Sequence, residues 1–297
     1  MVLNMGPQHP STHGVLRLEL MTDGEVIEEA IPHIGYLHRN FEKHCESLTY
    51  PQIIPYTDRM DYIAAMNNEL GWVLAVEKLI GRGPKAIEVP EKAEYIRVLV
   101  CELNRIASHL LAFGTYGMDI GAMTPFLYAF RDREQILEFF EELCGARLLY
   151  NYIRIGGVSR DFPPGFHHRV RRFLDYFGPQ IDVYDTLLTH NKIFLERTKG
   201  LGVWDVDQCI ENGWTGPNIR GAGLAWDLRK DEPYSIYDRF DFDIPVGENG
   251  DCWDRYKVRM DEMRESTKIC VQRLDQMEQP RLPEDATFTA YVPATSP

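Results

Sequence analysis

The spacing of hydrophobic positions changes along the 297-residue chain, and these changes predict the order of its elements. Apolar residues alternate in VLRLEL from Val15 and again in VIEEAI up to Ile31, with an Asp-Gly turn between them, which is typical of a β-hairpin. From Asp58 onward apolar residues recur three or four positions apart, and this spacing predicts a helix that ends near Ile80. The same spacing predicts further helices over residues 90–114, 125–145, 166–177, 180–188 and 254–277.

Between these elements, several stretches break the pattern. TYGMDIGAMTP, residues 115–125, is predicted to interrupt the helices. Residues 32–62 are rich in His, Arg, Tyr and Pro, so only a short helical patch is expected there, over residues 40–48. Residues 200–250 contain many Gly, Trp, Pro and Asp residues, which predicts loops with short strands at most.

These patterns together predict an α+β protein that is mainly α, with a helical body and a small N-terminal antiparallel sheet. Three parts are expected along the chain: residues 1–57 with the hairpin and candidate site loops, residues 58–280 as the helical body, and residues 281–297 as a tail that looks cut off. Antiparallel helices are expected to pack around Tyr62, Ala107 and Phe126 in one core.

Composition and charge narrow the function. The net charge of −13 argues against nucleic-acid binding, which requires a basic surface. The longest apolar runs are far shorter than the ~20 residues that cross a bilayer, so membrane association is expected to run through a partner. The six cysteines form no C-x-x-C pair, which disfavours zinc and iron–sulfur sites. No phosphate-binding or G-x-S-x-G motif is present, so no nucleotide or serine-hydrolase site is predicted.

Two histidines, His9 and His13, lie in the stiff segment GPQHPSTHG before the hairpin. A helical metal site is disfavoured because the prolines and glycines oppose a helix and no third ligand is near in sequence. The histidines either hydrogen-bond neighbouring backbone or present an imidazole to a cavity, where its near-neutral pKa suits proton delivery.

Two further side chains are candidates for chemistry. Tyr62 ends PYTDRMDY at the start of a predicted helix, where its hydroxyl either lies at the surface or donates a proton to a strongly basic oxygen, as on a reduced quinone. Asp119 lies between glycines in the break after a helix. It is either a turn or N-cap residue, or a buried carboxylate that needs a donor such as a histidine.

Several motifs in order resemble one family. GPQHPSTHGVLRL, PYTDRMDY, ELNRIASHLL, DIGAMTPFLYAFRDRE and NYIRIGGV are similar to the quinone-site subunit of respiratory complex I, called the D or 49-kilodalton subunit. That family is related to nickel–iron hydrogenase large subunits, whose fold the resemblance implies. The hydrogenase cysteine pairs are absent here, where the first one's region reads RMDYIAAM, so no metal site is expected in this chain.

The resemblance implies roles for individual residues. His13 and Tyr62 match the ligands of the quinone headgroup, and Asp119 matches the acid that pairs with the histidine. His9, in the same loop as His13, is expected to contribute to quinone binding. Arg39 matches an arginine beside the terminal 4Fe-4S cluster, which a neighbouring subunit holds. The implied reaction is quinone reduction with electrons from that cluster and protons from Tyr62 and His13, coupled to proton pumping.

The resemblance also implies a location in the cell and a set of partner subunits. It predicts a peripheral-arm subunit of NADH:quinone oxidoreductase on the cytoplasmic side of the bacterial inner membrane, or on the matrix or stroma side in an organelle. The expected partners are the cluster-bearing subunit, the C-type subunit and the quinone-channel membrane subunit. The C-terminal part of the family is absent from this sequence, so the sequence is expected to be a fragment or to have its remainder on another chain. The alternative is a non-catalytic scaffold of a hydrogenase-like or ferredoxin-dependent complex, and the quinone type stays open.

Overall fold

The computed structural model describes residues 1–8, 15–81, 87–278 and 287–289. The chain divides into two compact units, residues 1–49 and residues 50–297. His9 and His13 lie outside the described residues, as does most of the predicted tail 281–297.

The first unit contains the predicted hairpin. Strands β1 (Val2–Met5), β2 (Arg17–Asp23) and β3 (Val26–His33) form an antiparallel sheet in that order. Gly24 and Glu25 form the turn between β2 and β3, one residue later than the predicted Asp-Gly pair, because Asp23 still pairs with Val26. Arg17 pairs with His33 at the other end of the hairpin. The short helix α1 (Phe41–Cys45) follows within the predicted helical patch.

The second unit is mainly helical, which together with the sheet confirms the predicted fold class. Its elements, in chain order, are α2 (Tyr50–Thr57), α3 (Ala65–Ile80), α4 (Glu91–Asp119), α5 (Met123–Cys144), the two-stranded β4 (Ile153–Arg154) and β5 (Gly157–Val158), α6 (Phe166–Tyr184), a π-helical turn (Asp185–Thr189), α7 (Lys192–Glu196), α8 (Val206–Glu211), α9 (Pro217–Gly221), α10 (Leu228–Asp231), a 3-10 turn (Tyr237–Arg239) and α11 (Cys252–Glu278).

The central helix of this unit is α4, which packs against α3, α5 and α11. The predicted stop at Gly114 was wrong, because α4 continues to Asp119. A Cβ atom on Gly114 would lie 3.0 Å from the Cα atom of Phe126 on α5. This glycine therefore allows two helices to approach closely, and a close helix contact cannot be read from local sequence.

Other predictions were also wrong. The helix expected from Asp58 onward begins only at Ala65, because residues 58–64 form a loop. Residues 166–184 form one helix despite Pro179, because Phe177 and Ile181 are buried on either side of it and packing offsets the lost hydrogen bond. Residues 200–250 contain short helices and no strand. Helix α2 forms despite its prolines, with Ile53 and Ile54 buried.

The predicted core position was only partly right. Ala107 is buried on α4, but the Tyr62 side chain is 49% exposed. The largest apolar cluster is formed by α3, α4, α5, α6 and α11, and a second cluster joins α4 to the segment around Tyr237. The exposed position of Tyr62 leaves its side chain accessible.

Candidate functional site

Tyr62 lies in the loop of residues 58–64, between α2 and α3. Three contacts hold the backbone on both sides of it. Asn68 Nδ2 donates to the carbonyl of Asp61 at 3.0 Å, the Ile63 amide donates to Asp61 Oδ1 at 3.4 Å, and Asn104 Nδ2 donates to the carbonyl of Ile63 at 3.4 Å. These hydrogen bonds hold the backbone of the loop, and the phenol of Tyr62 is half-exposed.

Asp119 is the last residue of α4, and its side chain is half-buried. The turn after it is held by Arg197, whose Nη1 donates to the carbonyl of Ile120 at 2.5 Å. Asn104, which binds the loop of Tyr62, precedes Asp119 by fifteen residues on the same helix, or ~22 Å along its axis. The structure thus attaches the loop of Tyr62 and the carboxylate of Asp119 to the same helix, α4.

The remaining candidates lie in the first unit or outside the described residues. Arg39 is exposed and lies two residues before α1, ahead of the N-cap residue Asn40. His9 and His13 belong to the segment that is not described, so a pairing of His13 with Asp119 stays a prediction.

A set of buried charges around α4 was not predicted from the sequence. Glu102, fully buried, accepts hydrogen bonds from Tyr237 Oη and Ser266 Oγ, both at 2.7 Å. Arg229 Nη1 and Arg105 Nε lie 3.2 Å from the same carboxylate. Besides Arg105 on the same helix, donors from three elements more than 120 residues away in sequence therefore converge on this one acid.

A second acid continues this set. Glu262 on α11 accepts from Arg220 Nε at 2.9 Å and Nη2 at 2.6 Å. His109 Nε2 on α4 lies 2.6 Å from the other carboxylate oxygen of Glu262. Arg229 also binds Asp227, with Nη2 to Oδ2 at 2.6 Å. We call these residues the ion network: Glu102, Arg105, His109, Arg220, Asp227, Arg229, Tyr237, Glu262 and Ser266.

The ion network is electrostatically satisfied. Burial alone would raise the pKa of Glu102, but Arg105, Arg229 and two hydroxyl donors lower it to about 2. Glu262 behaves alike: its pKa lies well below the ordinary value because His109 and Arg220 outweigh burial. Burial lowers the pKa of His109 although Glu262 opposes this. The ion network therefore holds the helices together while its buried charges remain paired.

A groove of about 990 Å³ runs along α3 and α4. Arg105 and His109 of the ion network line it, together with Asp61 from the loop of Tyr62. Tyr62 and Asp119 are not among its lining residues. The groove therefore connects the neighbourhood of that loop with the ion network, and it does not unite the predicted site residues.

The sequence does contain a signal for the ion network. The segment VLVCELNRIASHLL, residues 98–111, carries Glu102, Arg105 and His109 within an otherwise apolar helix. Charged residues on a helix that is apolar around its whole circumference must be paired when buried. Glu102 and Arg105 pair within one turn of the helix. The other partners of Glu102 and the partner of His109 lie more than a hundred residues away, so the signal predicts pairing but not these partners.

Among the described residues, no helix is long and apolar enough to cross a membrane. Within the same residues, no group of three or more His, Cys, Asp or Glu side chains is arranged to hold a metal ion.

Comparison with known proteins gives concordant results. The family described as "Respiratory-chain NADH dehydrogenase, 49 Kd subunit" matches residues 119–295. A protein of Chlorobaculum tepidum, named as the D subunit of NADH-quinone oxidoreductase, is 55% identical over 98% of this chain and 71% of its own length. A protein of the same name from Bacillus mycoides is 55% identical over 99% of this chain and 77% of its own length.

Proposed function

The chain belongs to the 49 kDa subunit family of the respiratory-chain NADH dehydrogenase, and on this premise we propose that it forms the quinone-reduction site. Membership makes the chain a subunit of an oxidoreductase complex, NADH-quinone oxidoreductase. The observation that carries the proposal is the match along nearly the whole chain, in which His13, Tyr62 and Asp119 are all present.

Tyr62 is proposed to donate its hydroxyl proton in a hydrogen bond to a carbonyl oxygen of the quinone. Quinone reduction takes up two electrons and two protons, so a donor next to the carbonyl stabilises the charge that develops there. The half-exposed phenol and the braced loop 58–64 support this role. A donor held in place loses little conformational entropy when it binds.

His13 is proposed to bind the other side of the headgroup and to pair with Asp119. The C-terminal end of a helix carries partial negative charge, and Asp119 ends the 29-residue α4. Helix end and carboxylate together favour a protonated imidazole nearby. His9 is proposed to lie in the same loop without a separate chemical step.

Electrons are proposed to come from a 4Fe-4S cluster that a partner subunit holds, with Arg39 facing that subunit. The other proposed partners are the C-type subunit and the quinone-channel membrane subunit. The chain would then lie peripherally, on the cytoplasmic side of the bacterial membrane or its organellar equivalent. Proton pumping by the assembled complex belongs to this proposal.

The test is Tyr62→Phe in the assembled complex. We expect quinone reductase activity to fall by about 10²-fold or more, because a general acid typically contributes that much. Reduction of an artificial acceptor upstream of the quinone, and the composition of the complex, should stay unchanged. The matched control is Tyr50→Phe, since Tyr50 is 48% exposed and packs its ring on Trp72.

His13→Ala is expected to give the same pattern. Full quinone reductase activity in both Tyr62→Phe and His13→Ala would contradict the proposal and favour a scaffold without catalysis.

A further inference from the structure

Two acidic side chains meet inside the helical body, on either side of the loop 58–64. Asp58 directly follows α2, and Glu69 lies in the second turn of α3; both are fully buried. Asp58 Oδ2 accepts from the Asn151 amide at 3.0 Å. Glu69 Oε2 accepts from the Tyr152 amide at 2.9 Å and the Ile153 amide at 2.6 Å. Both acids therefore anchor one backbone segment, residues 151–153.

The second oxygen of each acid, Asp58 Oδ1 and Glu69 Oε1, is buried and receives no hydrogen bond within the described part of the chain. The two carboxyl groups lie within hydrogen-bond reach of one another. Ionised carboxylates only accept hydrogen bonds. Two of them in contact away from water would repel with nothing between them, whereas one proton turns the contact into an O–H···O bond.

The surroundings decide which acid carries that proton. Burial and the adjacent Asp58 carboxylate raise the pKa of Glu69 well above the ordinary 4.5. Burial also raises the pKa of Asp58, but the bond from Glu69, the Asn151 amide, Arg59 and Arg154 oppose this. The proton therefore resides on Glu69.

No other titratable neighbour in the described residues changes this assignment. The cations that face the pair, Arg59 and Arg154, act on Asp58. The remaining titratable groups that sense the pair are thiols and phenols whose pKa values are raised by burial, so they stay neutral: Cys101, Cys144, Tyr150 and Tyr152.

We propose that Asp58 and Glu69 form a proton-binding site, a carboxyl pair that holds one proton and positions the loop of Tyr62. Glu69 donates this proton to Asp58, and the pair ties both ends of loop 58–64 to residues 151–153. The positioning role rests on the proposed function of Tyr62, whereas the bound proton does not. Both acids are positioning residues because neither is placed at the reacting atoms.

Infrared spectroscopy of the full chain tests the proton directly. At neutral pH the wild type should show the carbonyl stretch of a protonated carboxylic acid, with the shift expected in heavy water. Glu69→Gln and Asp58→Asn should each abolish it, since either amide supplies the donor that the proton supplied. Glu138→Gln, at an exposed position of α5, is the matched control. An absent band in the wild type overturns the proposal.

Stability of the same variants tests the geometry. In Glu69→Gln the amide oxygen still accepts from the amides of residues 152 and 153, while its NH2 donates to Asp58. In Asp58→Asn the amide oxygen still accepts from the Asn151 amide, while its NH2 donates to Glu69. In the double variant the two NH2 groups face each other, and neither can accept a hydrogen bond from the other. We expect small shifts of the unfolding midpoint in the single variants and a drop in the double variant larger than their sum. A double variant at least as stable as the singles would indicate two ionised acids around a cation and overturn the proposal.

The pH dependence of stability shows whether the folded chain binds a proton that the unfolded chain releases. The folded chain keeps a proton on Glu69 that the unfolded chain releases above its ordinary value of 4.5. This contribution is therefore complete below pH 4.5 and is lost as the pH rises through the folded pKa. The stability difference between wild type and Glu69→Gln should follow this curve, and a difference that does not vary with pH overturns the proposal.

The assembled complex separates the two proposals. The single variants should retain quinone reductase activity, and the double variant should lose it severalfold because loop 58–64 is no longer held. Full activity of an assembled double variant overturns the positioning role. If Tyr62→Phe is fully active while Glu69→Gln still removes the infrared band, the proposed function fails and the proton-binding site stands.

Discussion

Two buried acids of the helical body, Glu102 and Glu69, are equally removed from water but differ in what surrounds them. Glu102 lies between two arginines and two hydroxyl donors. Glu69 meets two backbone amides and a second acid. The pKa of Glu102 accordingly falls to about 2, whereas burial and Asp58 raise the pKa of Glu69 well above its ordinary value. Burial alone therefore does not set the charge of an acid; the donors that tertiary structure brings to it do.

The same substitution should separate the two acids most clearly. Glu102→Gln removes the carboxylate that Arg105 and Arg229 share, which leaves Arg105 without this partner and Arg229 paired with Asp227. We therefore expect a loss of about 3–5 kcal/mol in the free energy of unfolding. Chemical denaturation of the full chain measures this loss. Glu69→Gln should shift stability far less, because it replaces a neutral acid.

The control for Glu102→Gln is Glu141→Gln, since Glu141 is exposed and binds Arg147 at the surface. Such exposed pairs contribute little to stability. Equal losses in Glu102→Gln and Glu69→Gln would show that the two acids carry the same charge, and would remove the contrast.

The pH dependence of stability should have opposite signs for Glu102 and Glu69. The folded pKa of Glu102, about 2, lies below the ordinary 4.5, so its contribution is present above pH 4.5 and is lost as the pH falls through 2. A shift of this size corresponds to on the order of 3 kcal/mol. Denaturation midpoints over this range should fall steeply in wild type and less in Glu102→Gln. A parallel decline in both proteins would be the contrary result.

The smallest effect is expected at the edge of the ion network. His109→Ala removes the ring nitrogen 2.6 Å from Glu262 but leaves Arg220 bound to that acid. A hydrogen bond to a charged group contributes about 1.5–3 kcal/mol, and denaturation of the full chain should show a loss in this range. Ser108→Ala, which alters the same groove wall, is the control and should cost less. A loss as large as that of Glu102→Gln would mean that the network fails as a unit.

The first elements and the long helices were predictable because their signals are local. The β2–β3 hairpin follows from alternation around an Asp-Gly pair, and α3 ends at the predicted Ile80. Glycine and proline were the weak points. Gly114 permits a close contact between α4 and α5, and Pro179 lies within α6 because buried neighbours hold both halves.

The candidate site was predictable only as residue identities. Motifs pointed to Tyr62 and Asp119, and the family assignment agrees with the resemblance from which those roles came. The hydrogen bond that holds the loop of Tyr62 was not predictable, since Asn104 donates to the carbonyl of Ile63 from another helix. Asp58 was noted only as part of PYTDRMDY, because nothing local identifies Glu69 as its partner.

The sequence by itself determined the order of the main elements, the family, and the residue types available for chemistry. These depend on neighbours within one or two turns or on motifs read in order. Tertiary structure alone decided which acids are charged. The charge of Glu102 depends on Arg229, and the proton on Glu69 depends on Asp58 and on a backbone segment more than eighty residues away. Electrostatic free energy depends on distances in space, and the linear sequence does not contain those distances.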